Sequence, residues 1–265
     1  MKASFVSVVV CLVAVAFTGV AFAGPTSPLY LTYYQYGQTI AVVQGNTITT
    51  FPEAYGNASY EVPIAVYGDV RTTGSFPASP RGGQYSLAGV PSGTSYVLPS
   101  VIQRSDDSTS DGSHNYLLDE MTSTVYQTAR DFTNPVALFN VPLYQVGITY
   151  DRANNSLWIS GYDTFVIDYS LSGGYITSFS TGLVYGGALA LDPATHTLWL
   201  VDNKTGYLYQ YSTAGVLLST GPYVGFALGG EFNLAPTPTP EPGTLVMFGS
   251  GALGLAGLLR RKINL

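Results

Sequence analysis

The sequence predicts an all-β fold built from repeats of about 42 residues. Two segments, Gly147–Ile159 and Ala188–Leu200, align at an offset of 41 residues. The residues they share include two pairs, Asp151 with Asp192 and Trp158 with Trp199. Each repeat contains short runs rich in aromatic and β-branched residues, separated by turn residues, which is typical of strands. A period of 40 to 45 residues with several strands per unit predicts the blades of a β-propeller.

The spacing of one aromatic position predicts five blades. Tyr30, Tyr116, Trp158 and Trp199 occupy this position, and one unit is missing near residue 72. The missing unit falls in residues 60–99, a degenerate segment rich in Pro and Gly. The exact blade count depends on whether that segment forms a blade.

The best-defined unit predicts four strands per blade, at Ile148–Tyr150, Leu157–Ser160, Phe165–Ser170 and Tyr175–Phe179. The first unit, which begins at Leu29, lacks an opening strand. At the other end of the repeats, residues 225–229 resemble an opening strand with nothing to follow it. We therefore expect residues 224–229 to close the ring onto the first blade, which also removes an open sheet edge.

The pattern Asp-x-Ala-x-x-x-Leu-Trp, at residues 151–158 and 192–199, resembles that of NHL and SMP-30-type propellers. That superfamily includes binding modules, lactonases and lyases, and the resemblance covers about 80 residues. It implies a fold, whereas function has to be argued from a site. SMP-30-like enzymes hold a divalent cation in the central channel with Glu, Asn and Asp, and this sequence does not match that set residue by residue.

The first 23 residues are predicted to be a signal peptide. Lys2 is followed by an apolar run and by Ala21-Phe22-Ala23, a small-x-small cleavage site before Gly24. The single cysteine, Cys11, lies in the apolar run, so disulfides do not stabilise the mature chain. The propeller domain is expected to span residues 24–234.

The C-terminal segment predicts a spacer and an anchor. Residues 235–243 alternate proline with other residues and favour a stiff extended spacer. Residues 244–259 are apolar and are expected to form a short transmembrane sorting helix. Residues 260–265 form a basic tail that should stay cytoplasmic.

This order of three parts resembles the PEP-CTERM sorting signal of bacterial cell-surface proteins. The motif residues are Pro240, Glu241 and Pro242, followed after the helix by Arg260, Arg261 and Lys262. The resemblance implies an exosortase, a membrane-embedded protease, as partner, and an association with exopolysaccharide and extracellular matrix. It also implies a transient membrane anchor before the protein reaches the cell surface or matrix.

The charge of the exported part argues against nucleic acid as a partner. Only 10% of the residues are charged, and the net charge is -6. Without the basic residues of the two termini, six basic residues face sixteen acidic ones. Nucleic acids and anionic lipid headgroups both require clustered Lys and Arg, which this chain lacks.

Most candidate functional residues have a structural interpretation. Asp151 and Asp192 are predicted to bond turn amides, as short acceptors do in Asx-turns. Trp158 and Trp199 are predicted to pack between blades, with sugar stacking as the alternative. The two histidines, His114 and His196, have no partner that spacing alone identifies, and His196 is expected in a hairpin turn.

The polar run of residues 106–112 offers oxygen donors of the type that calcium prefers, with Asp107 and Asp111 as candidate ligands. The run departs from an EF-hand loop, and a solvated polar loop is the favoured interpretation. No nucleophile elbow, phosphate loop or zinc spacing occurs in the sequence.

These observations favour a non-enzymatic cell-surface or matrix protein, with no cofactor, whose propeller binds a polysaccharide or another surface protein. The alternative is a secreted hydrolase or lyase of the SMP-30-like type with a metal in the channel. That alternative predicts several carboxylates or amides converging on the ring axis. A third hypothesis, an inert spacer, is not separated from these by the sequence.

Overall fold

A computed structural model describes residues 21–33, 39–55, 61–77 and 82–236 of the chain. Within these ranges every regular element is a β-strand. Most of the predicted signal peptide and nearly all of the sorting tail lie outside the described residues, as does the whole of the predicted anchor at 244–259. Among the residues that are described, none forms a helix long and apolar enough to cross a membrane.

The strands follow one another with short connections. In chain order they are β1 (Ala21–Phe22), β2 (Leu29–Thr32), β3 (Thr39–Gln44), β4 (Thr47–Pro52), β5 (Glu61–Val66), β6 (Val70–Gly74), β7 (Gly82–Tyr85), β8 (Pro91–Tyr96), β9 (Ser105–Ser110), β10 (His114–Asp119), β11 (Thr124–Ala129), β12 (Val136–Asn140), β13 (Gln145–Asp151), β14 (Ser156–Gly161), β15 (Phe165–Ser170), β16 (Tyr175–Ser180), β17 (Gly186–Asp192), β18 (Thr197–Asp202), β19 (Tyr207–Ser212), β20 (Leu217–Tyr223) and β21 (Gly229–Phe232).

Five antiparallel sheets confirm the predicted five-bladed propeller. From the ring axis outward, blade 1 is β21-β2-β3-β4, blade 2 is β5-β6-β7-β8, blade 3 is β9-β10-β11-β12, blade 4 is β13-β14-β15-β16 and blade 5 is β17-β18-β19-β20. The degenerate segment of residues 60–99 supplies blade 2. In blade 4 each predicted strand lies within the observed one, and the observed ends differ by at most three residues.

The innermost strands β5, β9, β13, β17 and β21 contact one another around the axis. All of their residues are buried, whereas the outermost strands of blades 1, 2 and 4 are largely exposed. The expectation of a solvated loop at residues 106–112 is therefore wrong for most of that run. Residues up to Ser110 belong to β9, the innermost strand of blade 3, and only Asp111 and Gly112 lie in the following turn. Ring geometry buries this polar segment because the other four blades surround it.

The ring closes onto the first blade as predicted, but the closing strand lies further towards the C-terminus than the predicted residues 224–229. β21 pairs antiparallel with β2, placing Glu231 opposite Tyr30 and Gly229 opposite Thr32. The closing strand starts at Gly229 and not near residue 224. Residues 224–228 instead form the connection from blade 5, in which the amide of Leu228 donates to the carbonyl of Thr32.

One position of each second strand packs against the next blade. Trp158 shares a buried cluster with Leu189, Leu191 and Leu198 of blade 5. Trp199 lies in a cluster with residues of blade 1, Tyr116 with residues of blade 4, and Tyr30 with residues of blade 2.

Arg71 takes the corresponding position in blade 2, opposite Ala65. Its guanidinium lies 5.7 Å from the ring centroid of Tyr96 and bonds the carbonyl of Arg130 in blade 3 at 2.8 Å. The spacing of aromatic residues in the sequence did not reveal this blade, because Arg71 and not an aromatic residue fills the interface with the next blade.

The first described strand, β1, pairs in parallel with the outer edge of β20 over two residues. Ala21 and Phe22 are both exposed, and Phe22 keeps 61% of its surface accessible. This strand lies within the predicted signal peptide, so the fifth blade is complete without it. The chain forms two units that divide after Leu234, and all strands of the described residues belong to the first.

We expect Trp158→Ala to lower the free energy of unfolding by about 3 to 5 kcal/mol, because Trp158 is 1% exposed and a cavity would remain between blades 4 and 5. Denaturant unfolding followed by far-UV circular dichroism measures this loss. Arg152→Ala, in the exposed turn beside Asp151, is the control and should change stability by less than about 0.5 kcal/mol. A loss below about 1 kcal/mol for Trp158→Ala would contradict a packing role between blades.

Candidate binding face and the closed ring axis

Glu231 lies on the innermost strand of blade 1, and its carboxylate spans the ring axis. It accepts hydrogen bonds from the hydroxyl of Thr109 in blade 3 and from that of Thr149 in blade 4, the latter at 3.0 Å. The equivalent positions in blades 2 and 5 are Ala65 and Ala190, which pair with Arg71 and Trp199 on the second strands of those blades. Because these two side chains are small, the Glu231 side chain can cross the ring.

The two threonines also join neighbouring blades. The Thr109 hydroxyl accepts a hydrogen bond from the amide of Tyr150 at 2.9 Å, and the Thr149 hydroxyl accepts one from the amide of Leu191 at 3.0 Å. Each hydroxyl therefore accepts from a backbone amide and donates its own proton to Glu231. This network holds blades 1, 3, 4 and 5 together at the axis.

Asp107 is a second carboxylate at the axis, two positions before Thr109 on β9. It accepts hydrogen bonds from three backbone amides, those of Ser108 at 2.9 Å, Gly230 at 3.0 Å and Ile148 at 3.1 Å. The amides of Gly230 and Ile148 belong to blades 1 and 4. Asp107 thus connects three blades, and its oxygens are already occupied by protein donors.

Both axial carboxyl groups are fully buried. Burial raises the pKa of Asp107 and of Glu231 well above their ordinary values, and repulsion from Glu231 raises the pKa of Asp107 further. Hydrogen bonds from the threonine hydroxyls and backbone amides oppose this effect only in part. Because both carboxyl groups are buried and bonded to protein donors, these side chains close the ring axis, which is not an open channel. We name Asp107, Glu231 and their hydrogen-bond partners the axial plug.

The predicted calcium ligands Asp107 and Asp111 have separate surroundings. The Asp111 carboxylate accepts from the amides of Ser113 and His114, both at 2.6 Å, and from the Tyr116 hydroxyl at 2.8 Å. These are the bonds of a turn on the surface, while Asp107 is enclosed at the axis. In the described part of the chain no three His, Cys, Asp or Glu residues are grouped so that they could hold a metal ion.

The turns between first and second strands lie at one end of the propeller, which we name the turn face. Asp151 accepts a bond from the amide of Ala153 at 2.9 Å, and Asp192 accepts one from the amide of Ala194 at 2.9 Å. His196 lies in the turn after Asp192 with a left-handed φ of 53°. Its Nε2 is 2.9 Å from Asp151 of the neighbouring blade. Repeat alignment missed this pair because it joins two different blades.

The opposite end, which we name the connector face, carries the connections between blades. Tyr162 and Tyr185 stack there with ring centroids 4.6 Å apart and an interplanar angle of 7°. Phe226 lies 5.9 Å from Tyr185. These rings come from blades 4 and 5 and from their connections, so they form a row across adjacent blades.

An ion cluster adjoins this row. Arg104 bonds Asp106 at 2.6 Å and Glu120 at 3.0 Å. Burial and the nearby Asp106 raise the pKa of Glu120 to about 7. Burial, and after it the nearby carboxylate of Glu120, raises the pKa of Tyr162. The sequence did not reveal this cluster, because Arg104 lies on a blade connection, Asp106 on a strand and Glu120 in a turn.

An acidic pair that the sequence did not reveal lies in blade 2 and the connection before it, with Glu61 buried and Glu53 half-buried. Glu61 accepts hydrogen bonds from the Tyr85 hydroxyl at 2.8 Å and from the Tyr55 amide at 2.9 Å. Glu53 accepts one from the Glu61 amide at 3.2 Å, and burial raises the pKa of Glu53 to about 8. This set belongs to blade 2 and its first connection and does not reach the axial plug.

A cleft of about 570 Å³ lies on the connector face between blades 5 and 1. It is lined by Tyr33, Thr39, Thr50, Asn203, Lys204, Thr205, Gly206, Tyr223, Val224, Gly225 and Phe226. The lining contains aromatic rings, hydroxyls, an amide and one amine, and it contains no carboxylate. Such a volume is within the range of about 300 to 1,000 Å³ usual for ligand sites.

Comparison with known proteins supports the sorting tail and the fold. Residues 238–262 match the family model described as the PEP-CTERM protein-sorting motif. The motif is a sorting signal for exosortase, and it implies export and a membrane-anchored tail before release. The chain is thus an exported propeller protein with a PEP-CTERM tail. A search of curated proteins found no significant match.

Several solved structures are similar to this chain. A chain in the crystal structure of a nidogen/laminin complex is 12% identical, with a TM-score of 0.55 over 80% of this chain and 100% of that chain. Glutaminyl cyclase of Myxococcus xanthus is 11% identical, with a TM-score of 0.47 over 81% and 85%. Virginiamycin B lyase of Staphylococcus aureus is 14% identical, with a TM-score of 0.46 over 74% and 84%. At such identities the likeness concerns the fold alone.

We expect Glu231→Gln to reduce the loss of stability as pH rises. The pKa of Glu231 is higher in the folded protein than in the unfolded chain, where it is about 4.3. Its contribution to stability is therefore complete below about pH 4.3, and it is lost as pH rises through the folded-state pKa. The unfolding free energy of Glu231→Gln minus that of wild type should therefore increase as pH rises above about 4.3, by up to about 1.4 kcal/mol per pH unit. Urea unfolding at each pH measures it.

Asp131→Asn is the matched control for this experiment. Hydrogen bonds from Thr133 hold the pKa of exposed Asp131 below its usual range, so its effect on stability should stay constant above pH 5. A pH-independent difference for Glu231→Gln would show that this carboxyl group titrates normally in the folded protein.

Proposed function

We propose that the propeller is a non-catalytic binding module of an exported surface or matrix protein, and that its ligand is an extracellular polysaccharide. The observation that carries this proposal is the combination of a closed axis with an aromatic connector face. Asp107 and Glu231 bond protein donors from three or more blades, whereas the rings and polar groups of the connector face remain accessible at a cleft. Binding chemistry is thus available at the surface and not at the axis.

The axial geometry weighs against the alternative of a hydrolase or lyase with a channel metal. That alternative needs several carboxylates or amides converging on the axis with room for a substrate. Two carboxylates converge there, and both are fully buried. Their oxygens accept hydrogen bonds from amides and hydroxyls that also hold the blades together. Opening this site would break the contacts on which the ring depends.

The chemistry of the connector face favours a polysaccharide. Aromatic rings offer flat apolar surface, and hydroxyl and amide groups offer hydrogen bonds, the combination that a sugar ring requires. The sorting tail supports the same partner, because the PEP-CTERM resemblance implies proteins that accompany exopolysaccharide. Calcium is not needed in this proposal, since Asp107 and Asp111 are occupied separately. A protein partner is the competing outcome of the binding experiment below.

We expect the purified protein to bind the extracellular polysaccharide of the producing cells with equal affinity in calcium and in chelator. Affinity electrophoresis or calorimetry in the two buffers measures this. Binding that requires calcium would contradict the cation-independent site proposed here. Absence of binding in both buffers would refute the polysaccharide ligand and favour a protein partner.

Deletion of residues 236–265 should abolish retention at the cell surface and release the folded propeller into the medium, because the sorting motif lies in the deleted segment. Cell fractionation followed by immunoblotting measures retention. A variant with Glu231→Gln and an intact tail is the control and should be retained like wild type. Unchanged retention of the deleted form would contradict a role of the tail in sorting.

A further inference from the structure

We infer that the cleft between blades 5 and 1 is the binding site, with Tyr223 as the ring against which a neutral sugar stacks. This inference rests on the proposed function and adds the site and the chemical class of the ligand. Tyr223 ends β20 and keeps 62% of its surface exposed, although it belongs to a cleft. A large aromatic ring that lines a cleft and remains exposed is available to a ligand.

Neighbouring residues fix the orientation of the Tyr223 ring. Tyr207 meets it edge to face, with centroids 5.5 Å apart and an interplanar angle of 75°. Gly206 lies directly behind it, and a β-carbon added at Gly206 would come within 2.4 Å of the ring. Gly206 also has a positive φ of 75°, which few other residues adopt readily. The ring is therefore held in place before a ligand arrives, which reduces the entropy lost on binding.

Polar groups surround this ring without a negative charge among them. The hydroxyls of Thr39, Thr50 and Thr205, the amide of Asn203 and the amine of Lys204 all belong to the lining. The hydroxyls of Thr39 and Thr50 and the amine of Lys204 can bond to sugar hydroxyls. The Asn203 amide instead serves the fold, since its Oδ1 accepts from the amide of Ala227 at 2.9 Å and its Nδ2 is buried. The Thr205 hydroxyl donates to Asp202 at 3.0 Å and can only accept from a ligand. Lys204 is exposed, and within the described ranges no carboxylate forms an ion pair with it. Its three N–H donors are thus available to a ligand.

The ligand is inferred to be neutral because of the negative net charge of the whole chain, to which the cleft adds only Lys204. The net charge of the chain is -6, and a polyanion would be repelled by the protein as a whole. A single exposed Lys offsets little of this repulsion, because isolated surface ion pairs contribute about 1 kcal/mol or less. A neutral sugar encounters no such repulsion and can still use the Lys204 donors.

The cleft is continuous with a longer aromatic surface. Phe226 lines the cleft and also contacts Tyr185, which stacks on Tyr162. A bound chain can therefore extend from Tyr223 over the connector face towards blade 4. This arrangement suits a polymer, because several sugar units can contact rings at once, and it predicts tighter binding of polymers than of single sugars.

The test compares substitutions at Tyr223 on the full chain, with dextran, a β-1,3-glucan, galactomannan and the producing cells' own polysaccharide as probes. Tyr223→Ala should weaken binding of the recognised polysaccharide by about tenfold or more, because the stacking surface is lost. Tyr223→Phe should stay within about threefold of wild type. The control is Tyr175→Ala, an exposed ring on the outer strand of blade 4, which should bind like wild type.

Charge is tested with Lys204→Gln and with polygalacturonate as an anionic probe. For a neutral ligand, Lys204→Gln should weaken binding by less than about threefold, and affinity should change little between low and high salt. Salt-sensitive binding of polygalacturonate that Lys204→Gln abolishes would overturn the neutral class.

The outcomes separate the site from the function. Wild-type binding that Tyr223→Ala leaves unchanged would place the polysaccharide elsewhere, refuting this cleft while keeping the proposed function. Failure of the wild-type protein to bind any of the neutral or anionic polysaccharides would refute the proposed function itself. Thermal unfolding of each variant, with a midpoint close to wild type, shows that a loss of binding does not result from a loss of fold.

Discussion

The antiparallel pairing of β21 with β2 is the interaction on which the rest of the structure depends. It joins the end of the repeat array to its beginning, so blade 1 is made from both ends of the domain. Without this pairing, β2 would expose an unpaired edge beside the axis, and the end of the repeat array would not be joined to its beginning. Ring closure also brings Glu231 to the axis, because Glu231 lies on the closing strand.

The buried carboxyl groups of Glu231 and Asp107 find all their hydrogen-bond donors within the narrow ring. Five innermost strands leave little space at the axis, and the small residues Ala65 and Ala190 allow one long acidic side chain to cross it. The hydroxyl of each neighbouring threonine accepts from one blade and donates to Glu231. Fully satisfied buried networks of this kind specify one arrangement of their partners. The consequence for function is that the axis is committed to structure.

Surface chemistry is therefore concentrated at the ends of the strands. The turn face is occupied by short Asp-centred turns, which bond their own backbone amides. The connector face has longer segments, and these present the stacked rings of Tyr162 and Tyr185 and the cleft with Tyr223. An exported protein with a sorting tail carries this face outside the cell. In the proposed function the two parts of the protein serve different purposes, delivery by the tail and recognition by the propeller.

The sequence by itself determined the repeat, the four strands of each well-defined unit and the sorting motif, and it predicted five blades with one of them left open at residues 60–99. These features are local or periodic, so they are visible as spacing between residues such as Trp158 and Trp199. The sequence failed at residues 106–112, where polar composition predicted a loop and the structure has a buried strand, since polarity does not reveal what surrounds a segment. Only the tertiary structure brought Asp107 and Glu231 to one axis, paired His196 with Asp151 and formed the cleft beside Tyr223. His196 and Asp151 meet because consecutive blades pack side by side, whereas the axial carboxylates and the cleft bring together segments distant in sequence, and their meeting is decided by ring closure.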